Sequence, residues 1–316
     1  MYLLKENVLL LKFQPNELGY FIMGIVSLYI KRFIFVLCLL FIITLSAQNE
    51  ETATKDFNYN FKLLQDKLVS DGFDRKKLAR IYNDGRVNFD TKGVSLFFVH
   101  KESNVNYNQY PKALSIAGAK LYMKIYESEL FKAKEKYGVE EELITAIILV
   151  ESKLGKSIGK RPVLNTLSTM ASLFDVNIRK RFWEYISGST ILTFEKFENK
   201  AMRKSNWAYN ELKSFLIYAE KEKINPLTIN GSYAGAVGIP QFVPSNIIRY
   251  ATDGNMDGSV DLTNHADAIA SVANFLSKSG WRQGIEDKKA RWVIRQYNPS
   301  SYYINTILNL TAKLKG

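Results

Sequence analysis

Residues 140–154 restrict the possible folds most strongly, because they follow a helical pattern that is apolar on nearly every side. A helix of this kind has no face suited to water, so other elements must enclose it. Gly155 follows the segment, as glycine often does where a helix ends. The segment therefore predicts a buried helix.

The rest of the chain predicts further helices joined by loops. Apolar residues recur at helical spacing in residues 56–71, 74–82, 113–137, 163–220, 266–277 and 301–314. Asp74 is the expected cap of the second of these helices, and Gly138 is expected to end the third. Residues 94–111 carry weaker helix signals, so a strand or a loop is expected there. We find neither an internal repeat nor a low-complexity linker, and we predict one mainly α domain after an N-terminal leader.

The composition excludes several other classes of protein. Apolar residues make up 47% of the 316 residues and charged residues 23%, which is too apolar for a disordered chain. One cysteine allows neither an intramolecular disulfide nor a cysteine metal cluster. Two histidines also argue against a histidine-rich metal centre.

Residues 1–47 differ from the rest of the chain and predict an export signal. Two apolar runs, 18–30 and 33–45, flank the basic pair Lys31-Arg32, and the small residues Ser46 and Ala47 follow. Cleavage is expected near Ala47, and Met23 would be a natural start for a leader of normal size. The alternative is an N-terminal membrane anchor, although each run is shorter than the roughly 20 residues that a span needs.

The charge balance indicates an acidic partner. The formal net charge is +12, and residues 48–316 keep most of that excess because the leader carries only four basic and two acidic residues. In an exported protein, a basic surface favours an acidic polymer or an anionic membrane face. Peptidoglycan, with its free carboxylates, is such a polymer. No helix-turn-helix or zinc-finger pattern is found, so no nucleic acid is expected as a partner.

Glu151 is the most informative single residue. It continues an apolar helical stripe formed by Ile144, Ile147 and Ile148. Burial of a carboxyl raises its pKa, and a carboxyl with a raised pKa beside a cleft can act as a general acid at neutral pH. The alternative is a glutamate at the edge of the core that reaches solvent or pairs with Lys153 or Lys156.

Residues 231–242 form a second candidate site. Three glycines within eight residues allow close approach of backbone or ligand. Ser232 and Gln241 offer polar groups suited to amides and hydroxyls, and Phe242 offers a stacking face. The alternative is a tight turn between two helices.

Residues 253–267 predict a calcium loop. Oxygen-bearing side chains stand at positions 1, 3, 5 and 9 of an EF-hand-like pattern, with Gly258 at position 6. Position 12 is Asn264, so Asp267, three residues later, is the expected closing acid. The missing glutamate predicts weak affinity, and the alternative is an Asp/Gly-rich turn without metal.

Together these segments resemble the lytic murein transglycosylase B family, glycoside hydrolase family 103. The resemblance covers about residues 57–312. It is carried by ITAIILVESKLG (144–155), GSYAGAVGIPQFVPS (231–245), residues 163–171, the calcium-loop pattern, residues 268–281 and residues 297–303. These motifs follow the order of the family and are unlikely to co-occur by chance.

The resemblance implies a lysozyme-like, mainly α transglycosylase domain over residues 48–316. Its implied reaction is cleavage of the β-1,4 bond between N-acetylmuramic acid and N-acetylglucosamine, with Glu151 as the sole acid and base. The implied substrate contacts are Ser232, Gln241, Phe242, Tyr297, Tyr303 and Arg179. The implied ligands of a structural calcium ion are Asp253, Asn255, Asp257, the Ser259 carbonyl and Asp267. No catalytic cofactor is expected.

Two features depart from the family pattern. Only residues 282–296 separate Trp281 from Tyr297, where the family usually carries a longer segment, so part of the cleft wall is expected to be missing. The family's paired arginines correspond here to Arg179-Lys180-Arg181, and which of these contacts the substrate stays open.

A single acid also indicates the mechanism. Most glycosidases use two carboxyl groups, but one suffices when the C6 hydroxyl of the muramic sugar attacks C1 and closes a 1,6-anhydro ring. The alternatives are a hydrolysing muramidase that activates water and a non-catalytic peptidoglycan-binding module. We expect a monomeric protein in the periplasm, either free or associated with the membrane through its N-terminus.

Overall fold

The computed structural model describes residues 61–99 and 107–316. The chain divides into two units, 1–56 and 57–316, and every described residue belongs to the second. The predicted leader at residues 1–47 lies outside the described residues, as does the beginning of the helix predicted over 56–71.

Helices dominate the described residues, which confirms the prediction of a mainly α chain. The α-helices are α1 (Phe61–Ser70), α2 (Arg75–Tyr82), α3 (Thr91–Val99), α4 (Ala113–Ile125), α5 (Glu127–Tyr137), α6 (Glu141–Ser152), α7 (Val163–Ala171), α8 (Val176–Ile186), α9 (Phe194–Lys221), α10 (Pro244–Tyr250), α11 (His265–Lys278), α12 (Asp287–Tyr297) and α13 (Ser301–Lys315). Short 3-10 turns lie at Tyr107–Gln109, Ser172–Phe174 and Pro226–Thr228. Two short strands, β1 (Arg161–Pro162) and β2 (Asn230–Gly231), pair antiparallel with Arg161 opposite Gly231.

Helix α6 is the buried helix that its sequence predicts. Leu143, Ile144, Ile147 and Ile148 have no exposed surface, and α4, α5, α11 and α13 pack around the helix. Burial of one such aliphatic side chain contributes roughly 1.5–3 kcal/mol relative to exposure. This packing fixes the position of Glu151, which lies in the last turn of α6.

The end of α6 differs slightly from the prediction. The helix stops at Ser152, because Lys153 and Leu154 adopt left-handed φ angles of 53° and 61°. The N–H of Leu154 bonds the carbonyl of Ile148, and that of Lys153 bonds the carbonyl of Leu149, which closes the last turn. The chain therefore leaves the helix one residue after Glu151.

The segment 94–111 requires a correction within the part that the structure describes, because residues 94–99 belong to α3 and residues 107–109 form a 3-10 turn. Oδ1 of Asp90 accepts a hydrogen bond from the N–H of Gly93 at 2.9 Å, as at the start of a helix. Val94 and Phe98 lie one turn apart and are both buried. Burial of these two side chains outweighs the low helix propensity of the glycine and β-branched residues in α3.

The single helix predicted over 113–137 is in fact two helices. It breaks at Tyr126, whose φ of −108° and ψ of 31° are not helical. The Tyr126 ring stacks on His265 at 4.4 Å and lies 4.6 Å from the ring of Tyr122. Gly138 ends α5 in the left-handed conformation, and Asp74 caps α2 by accepting from the N–H of Lys77, both as predicted.

The short segment before Tyr297 also takes a helical form, as α12 occupies most of it. Helix α9, with 28 residues, is the longest of the described helices and packs against α7, α8 and α10. Within residues 61–99 and 107–316, none of the helices combines the length and the apolar character that a membrane span requires.

Candidate active site

The carboxyl group of Glu151 is held by an aromatic side chain from a distant helix. The hydroxyl of Tyr303, in α13, donates a hydrogen bond to Oε1 of Glu151 at 2.7 Å. Burial raises the pKa of Glu151 to about 7, and the bond from Tyr303 offsets part of this rise. No charged side chain in the described part of the chain contributes to this shift, so pairing with Lys153 or Lys156 does not account for the position of Glu151.

Two tyrosines form a wall beside this carboxyl. The rings of Tyr303 and Tyr297 stack with their centroids 6.4 Å apart and an interplanar angle of 12°. The Tyr297 hydroxyl donates to the carbonyl of Pro240 at 2.6 Å, which ties the wall to the loop of residues 231–242. Burial and the nearby Glu151 raise the pKa of both phenols well above the usual value, so both stay neutral hydrogen-bond donors.

Tyr110 is a neighbour of Glu151 that the sequence analysis did not single out. Its hydroxyl donates to the carbonyl of Val150 at 3.2 Å, and its pKa is raised by burial and by the charge of Glu151. Tyr110 follows the 3-10 turn at Tyr107–Gln109, in the segment whose helical signals are weak. No periodic pattern in the sequence could have marked it.

The loop of residues 231–242 is folded tightly on itself. Oγ of Ser232 accepts from the N–H groups of Ala234 and Ala236, both at 3.2 Å. Nε2 of Gln241 donates to the carbonyls of Gly238 and Ile158, at 2.7 and 3.2 Å. Both side chains are only partly buried, so these structural bonds leave each side chain some exposed surface.

Gly235 shows why this loop needs glycine. Its φ is +74°, and a Cβ added there would lie 2.8 Å from Cδ2 of Leu167. A side chain would thus meet both an unfavourable backbone conformation and a buried neighbour. The loop is a tight turn, as one reading of the sequence predicted, and it also presents Ser232 at the surface.

Phe242 requires a correction. It was expected to stack on a sugar, but its ring is 1% exposed. Phe275 and Tyr297 cover it, with ring centroids at 5.8 Å in both cases. The structure places this ring in the core, behind Tyr297 rather than on the cleft surface.

Arg179 is also engaged within the protein. Its Nη1 donates to the carbonyls of Leu173 and Phe174 at 2.9 and 2.7 Å, and its Nε lies 3.4 Å from Oε1 of Glu198. Only 11% of the side chain is exposed. Its guanidinium closes the turn before α8, whereas Lys180 and Arg181 are exposed.

The predicted calcium loop, residues 253–267, is held by its own carboxylates. Asp253 accepts from the N–H groups of Met256, Asp257 and Gly258. Asp267, which is 1% exposed, accepts from the N–H groups of Gly254, Asn255 and Asp261. The pKa of Asp257 is lowered by hydrogen bonds from Asn255 and Ser259.

These residues fit a hard cation by donor chemistry. A carboxylate has about four lone-pair sites, so three accepted hydrogen bonds leave room for a further contact. All the candidate ligands are oxygen atoms, which calcium prefers. In the described residues, however, no group of three or more His, Cys, Asp or Glu side chains is gathered as a metal site. The donor set of the loop also includes the Asn255 amide and the Ser259 carbonyl, so its fit to calcium rests on oxygen chemistry.

Comparison with known proteins identifies the family of this chain. The family model described as the transglycosylase SLT domain matches residues 56–291. The chain belongs to this family. The match covers Glu151, the loop of residues 231–242 and the predicted calcium loop, and it confirms the resemblance seen in the sequence.

One relative of this SLT-family chain is the membrane-bound lytic murein transglycosylase B of Escherichia coli (strain K12). The two are 32% identical over 239 residues, which are 72% of this chain and 59% of that protein. The chain therefore spans about three fifths of the length of this relative.

Solved structures of transglycosylases share the fold of this chain. A 36 kDa muramidase/transglycosylase superposes with a TM-score of 0.64 at 23% identity, covering 81% of this chain and 93% of that chain. The Escherichia coli lytic transglycosylase SLT35, solved in complex with calcium, gives a TM-score of 0.62 at 23% identity, covering 81% and 92%.

In this SLT domain the arrangement around Glu151 is suited to proton transfer. A carboxyl with a pKa near 7 is present in both its protonated and ionised forms at neutral pH, so it can both give and accept a proton. The neutral phenol of Tyr303 orients the carboxyl without adding charge.

Proposed function

We propose that this protein is a peptidoglycan lytic transglycosylase that cleaves the β-1,4 bond between N-acetylmuramic acid and N-acetylglucosamine. The observation that carries the proposal is the Glu151 carboxyl, with its raised pKa and its bond from Tyr303. Membership of the SLT family and the similarity to a lytic murein transglycosylase support it.

Glu151 carries both proton transfers in the proposed reaction. The protonated carboxyl gives its proton to the glycosidic oxygen as the bond from that oxygen to C1 breaks. The resulting carboxylate takes the proton from the C6 hydroxyl of the muramic sugar. O6 then bonds to C1, which closes a 1,6-anhydro ring and returns Glu151 to its protonated form. No water is consumed.

The surroundings of Glu151 favour this one-acid route. Glycosidases that hydrolyse usually place a second carboxyl about 5–10 Å away as nucleophile or base. In the described residues no acidic side chain influences the pKa of Glu151, whereas Tyr110, Tyr297 and Tyr303 all respond to its charge. The substrate's own hydroxyl is thus the proposed nucleophile.

We propose sugar contacts for three residues. Ser232 and Gln241 are partly exposed in the loop of residues 231–242, and Tyr297 is partly exposed in the aromatic wall. Tyr303 is 1% exposed, so its expected sugar contact needs the same correction as that of Phe242, and its role is the hydrogen bond to Glu151. Phe242 supports Tyr297 from behind, and Arg179 supports the start of α8. Lys180 and Arg181 are the exposed members of the basic triplet.

We also propose a structural calcium ion in the loop of residues 253–267. Its ligands would be Asp253, Asn255, Asp257, the Ser259 carbonyl and Asp267. The ion would supply no reaction chemistry, because its loop leads into α11, whose packing against α6 it would stabilise. The calcium complex of SLT35 supports this proposal.

The proposed setting is the periplasm. Residues 1–47 would direct export or serve as an anchor, and residues 48–316 would act as a monomer on glycan strands. The basic charge of the chain supports an acidic polymer as its partner.

Digestion of purified cell-wall sacculi in heavy-oxygen water tests the reaction. A transglycosylase leaves 1,6-anhydromuramic ends without label, each lighter by one water than a hydrolysed end. A hydrolase places the solvent oxygen on every new reducing end. Predominant label incorporation would overturn the transglycosylase mechanism and retain Glu151 as the acid. Sacculi that stay intact while binding the protein would show a binding module.

A further inference from the structure

A cavity of about 600 Å³ lies beside the first residues of the 231–242 loop. Its lining includes Asn88, Leu96, Lys160, Arg161, Ser232 and Tyr233. This volume falls within the roughly 300–1,000 Å³ that is typical of ligand sites. Ser232 belongs both to this cavity and to the proposed sugar contacts, so the cavity adjoins the proposed substrate site.

Arg161 is fixed at the edge of this cavity. Its backbone pairs with Gly231 in the small sheet, and its Nη1 donates to Oδ1 of Asp90 at 2.7 Å. Asp90 is itself anchored, since Gly93 N–H donates to Oδ1 and Thr166 Oγ1 to Oδ2. The guanidinium is therefore held in one orientation before any ligand arrives.

This guanidinium keeps donors for a ligand. An arginine has five N–H donors in a rigid fork. Among the described residues only Asp90 accepts from the Arg161 guanidinium, and 32% of the Arg161 side chain is exposed. The remaining edge of the fork can therefore reach an acceptor in the cavity.

A basic, aromatic surface continues from the cavity past Tyr233. The Tyr233 ring lies 5.2 Å from the ring of Phe97. Nζ of Lys204 lies 4.9 Å from the centre of that Phe97 ring and 5.0 Å from Trp207. Among the described residues no acidic side chain pairs with Lys204, and burial and the nearby Lys200 and Arg203 lower its pKa.

We propose that this cavity binds the carboxylates of the peptide attached to the muramic acid, with Arg161 as the specificity-determining residue. The inference rests on the proposed function, because it names a substituent of the proposed substrate. A guanidinium fork binds a carboxylate through two parallel hydrogen bonds. The sugar rings carry hydroxyls and amides, so the ionised groups that suit this fork are on the substituent.

The same geometry gives Asp90 a supporting part. It orients Arg161 through Nη1 and also lines the cavity, so a ligand would meet the guanidinium N–H groups that Asp90 does not use. Arg179, one of the basic residues expected from the family pattern, is occupied by backbone carbonyls. Arg161, which β1 delivers to the cavity, therefore takes the part of an anion-binding arginine in this proposal.

Two soluble substrates test the proposal: glycan strands with free peptide carboxylates, and the same strands with those carboxyl groups converted to amides. Arg161→Gln should lower kcat/KM on the first substrate by tenfold or more, mainly through KM, because a charge-assisted contact is lost. It should leave the amidated strands unaffected. An equal loss on both substrates, or no loss on either, would overturn the proposal.

Matched variants control for charge and folding. Arg80→Gln removes one exposed arginine on α2, and its kcat/KM on both substrates should match that of the wild type. Arg161→Lys keeps the charge facing Asp90 but lacks the fork, so it should fold and still discriminate poorly between the two substrates. A lysine variant with full discrimination would show that the fork is not used.

Direct binding separates this inference from the reaction. N-acetylmuramyl pentapeptide, with free or with amidated carboxyl groups, is titrated calorimetrically into the Glu151→Gln protein. The site predicts that Glu151→Gln binds the ligand with free carboxylates more tightly than the amidated ligand, and that the double variant Glu151→Gln/Arg161→Gln does not. This result would support the site even if the wild type leaves sacculi uncut. Equal binding of the two ligands would refute the site even if the wild type cuts sacculi as proposed.

Discussion

The hydroxyl of Tyr303 donates to Oε1 of Glu151 over 2.7 Å and so joins α13 to the last turn of α6. The two residues are 152 positions apart in the chain. The bond orients a carboxyl that burial would otherwise leave without a partner, and it moderates the rise in its pKa.

Glu151→Gln should fold normally and lose activity by a factor on the order of 10²–10⁴, because the amide replaces the proton donor with a group of nearly equal shape. Product release from sacculi measures the rate. Glu142→Gln, in the first turn of the same helix, is the matched control and should keep wild-type activity. Retention of more than about a tenth of the activity in Glu151→Gln would remove Glu151 from the acid role.

Activity should decline as pH rises through about 7, because the Glu151 carboxyl then loses the proton that it gives to the leaving oxygen. The measurement is a profile of kcat/KM between pH 5 and pH 9, within the range where the fold is intact. A profile that stays flat to pH 9 would contradict a carboxyl acid with a raised pKa.

The same pKa affects stability. The folded-state pKa of Glu151 exceeds the unfolded value, so folding favours the neutral carboxyl: its stabilising effect is complete below about pH 4.3 and is lost as pH rises through about 7. Glu151→Gln cannot ionise, so it should be more stable than the wild type at pH 8 by roughly 1–3 kcal/mol. Urea unfolding at pH 5 and pH 8 gives this difference.

Tyr303→Phe should move the declining limb of the pH profile to higher pH. In the wild type the hydrogen bond from Tyr303 lowers the pKa of Glu151, so its loss lets that pKa rise. The substitution should also reduce kcat by roughly tenfold, since the carboxyl is no longer oriented. Tyr302→Phe removes an exposed hydroxyl next to it and should change neither quantity. A reduced rate with an unmoved limb would show that Tyr303 acts only through packing.

Calcium should raise the melting temperature of the wild type by mass action, and Asp257→Ala should lower the melting temperature and abolish that response. Asp66→Ala, which removes an exposed acid on α1, should respond to calcium as the wild type does. Differential scanning calorimetry with and without calcium makes the comparison. An equal response in Asp257→Ala would show that calcium binds elsewhere.

The sequence predicts helices well where burial and propensity agree. Helix α6 is apolar all round and forms as expected, and Asp74 and Gly138 mark helix ends by local chemistry. Helix α3 was missed because its glycine and β-branched residues have low helix propensity, and only contacts with other helices bury Val94 and Phe98. The break at Tyr126 is equally non-local, since it accompanies the stacking on His265.

The residues of the site also separate into those that local sequence predicts and those that depend on distant contacts. Helical periodicity alone places Glu151 on a buried stripe, but no local pattern connects it to Tyr303, to Tyr110 or to the Asp90–Arg161 pair. Phe242 and Arg179 show the opposite difficulty. An aromatic ring or a guanidinium can contact either a ligand or the protein interior. Phe242 is buried by Phe275, which is distant in sequence, and Arg179 is bound by the carbonyl of Phe174, whose position depends on the backbone conformation.

The distance in sequence between Glu151 and Tyr303 also orders events during synthesis. The ribosome makes α6 well before α13, so Glu151 first exists without its phenol donor and without the stacked wall of Tyr297 and Tyr303. A hydrated carboxyl in that unfinished chain has an ordinary pKa near 4.3 and is ionised at neutral pH. The nascent protein therefore carries the Glu151 carboxyl in a form that cannot donate a proton, and the proposed acid forms only when α13 docks.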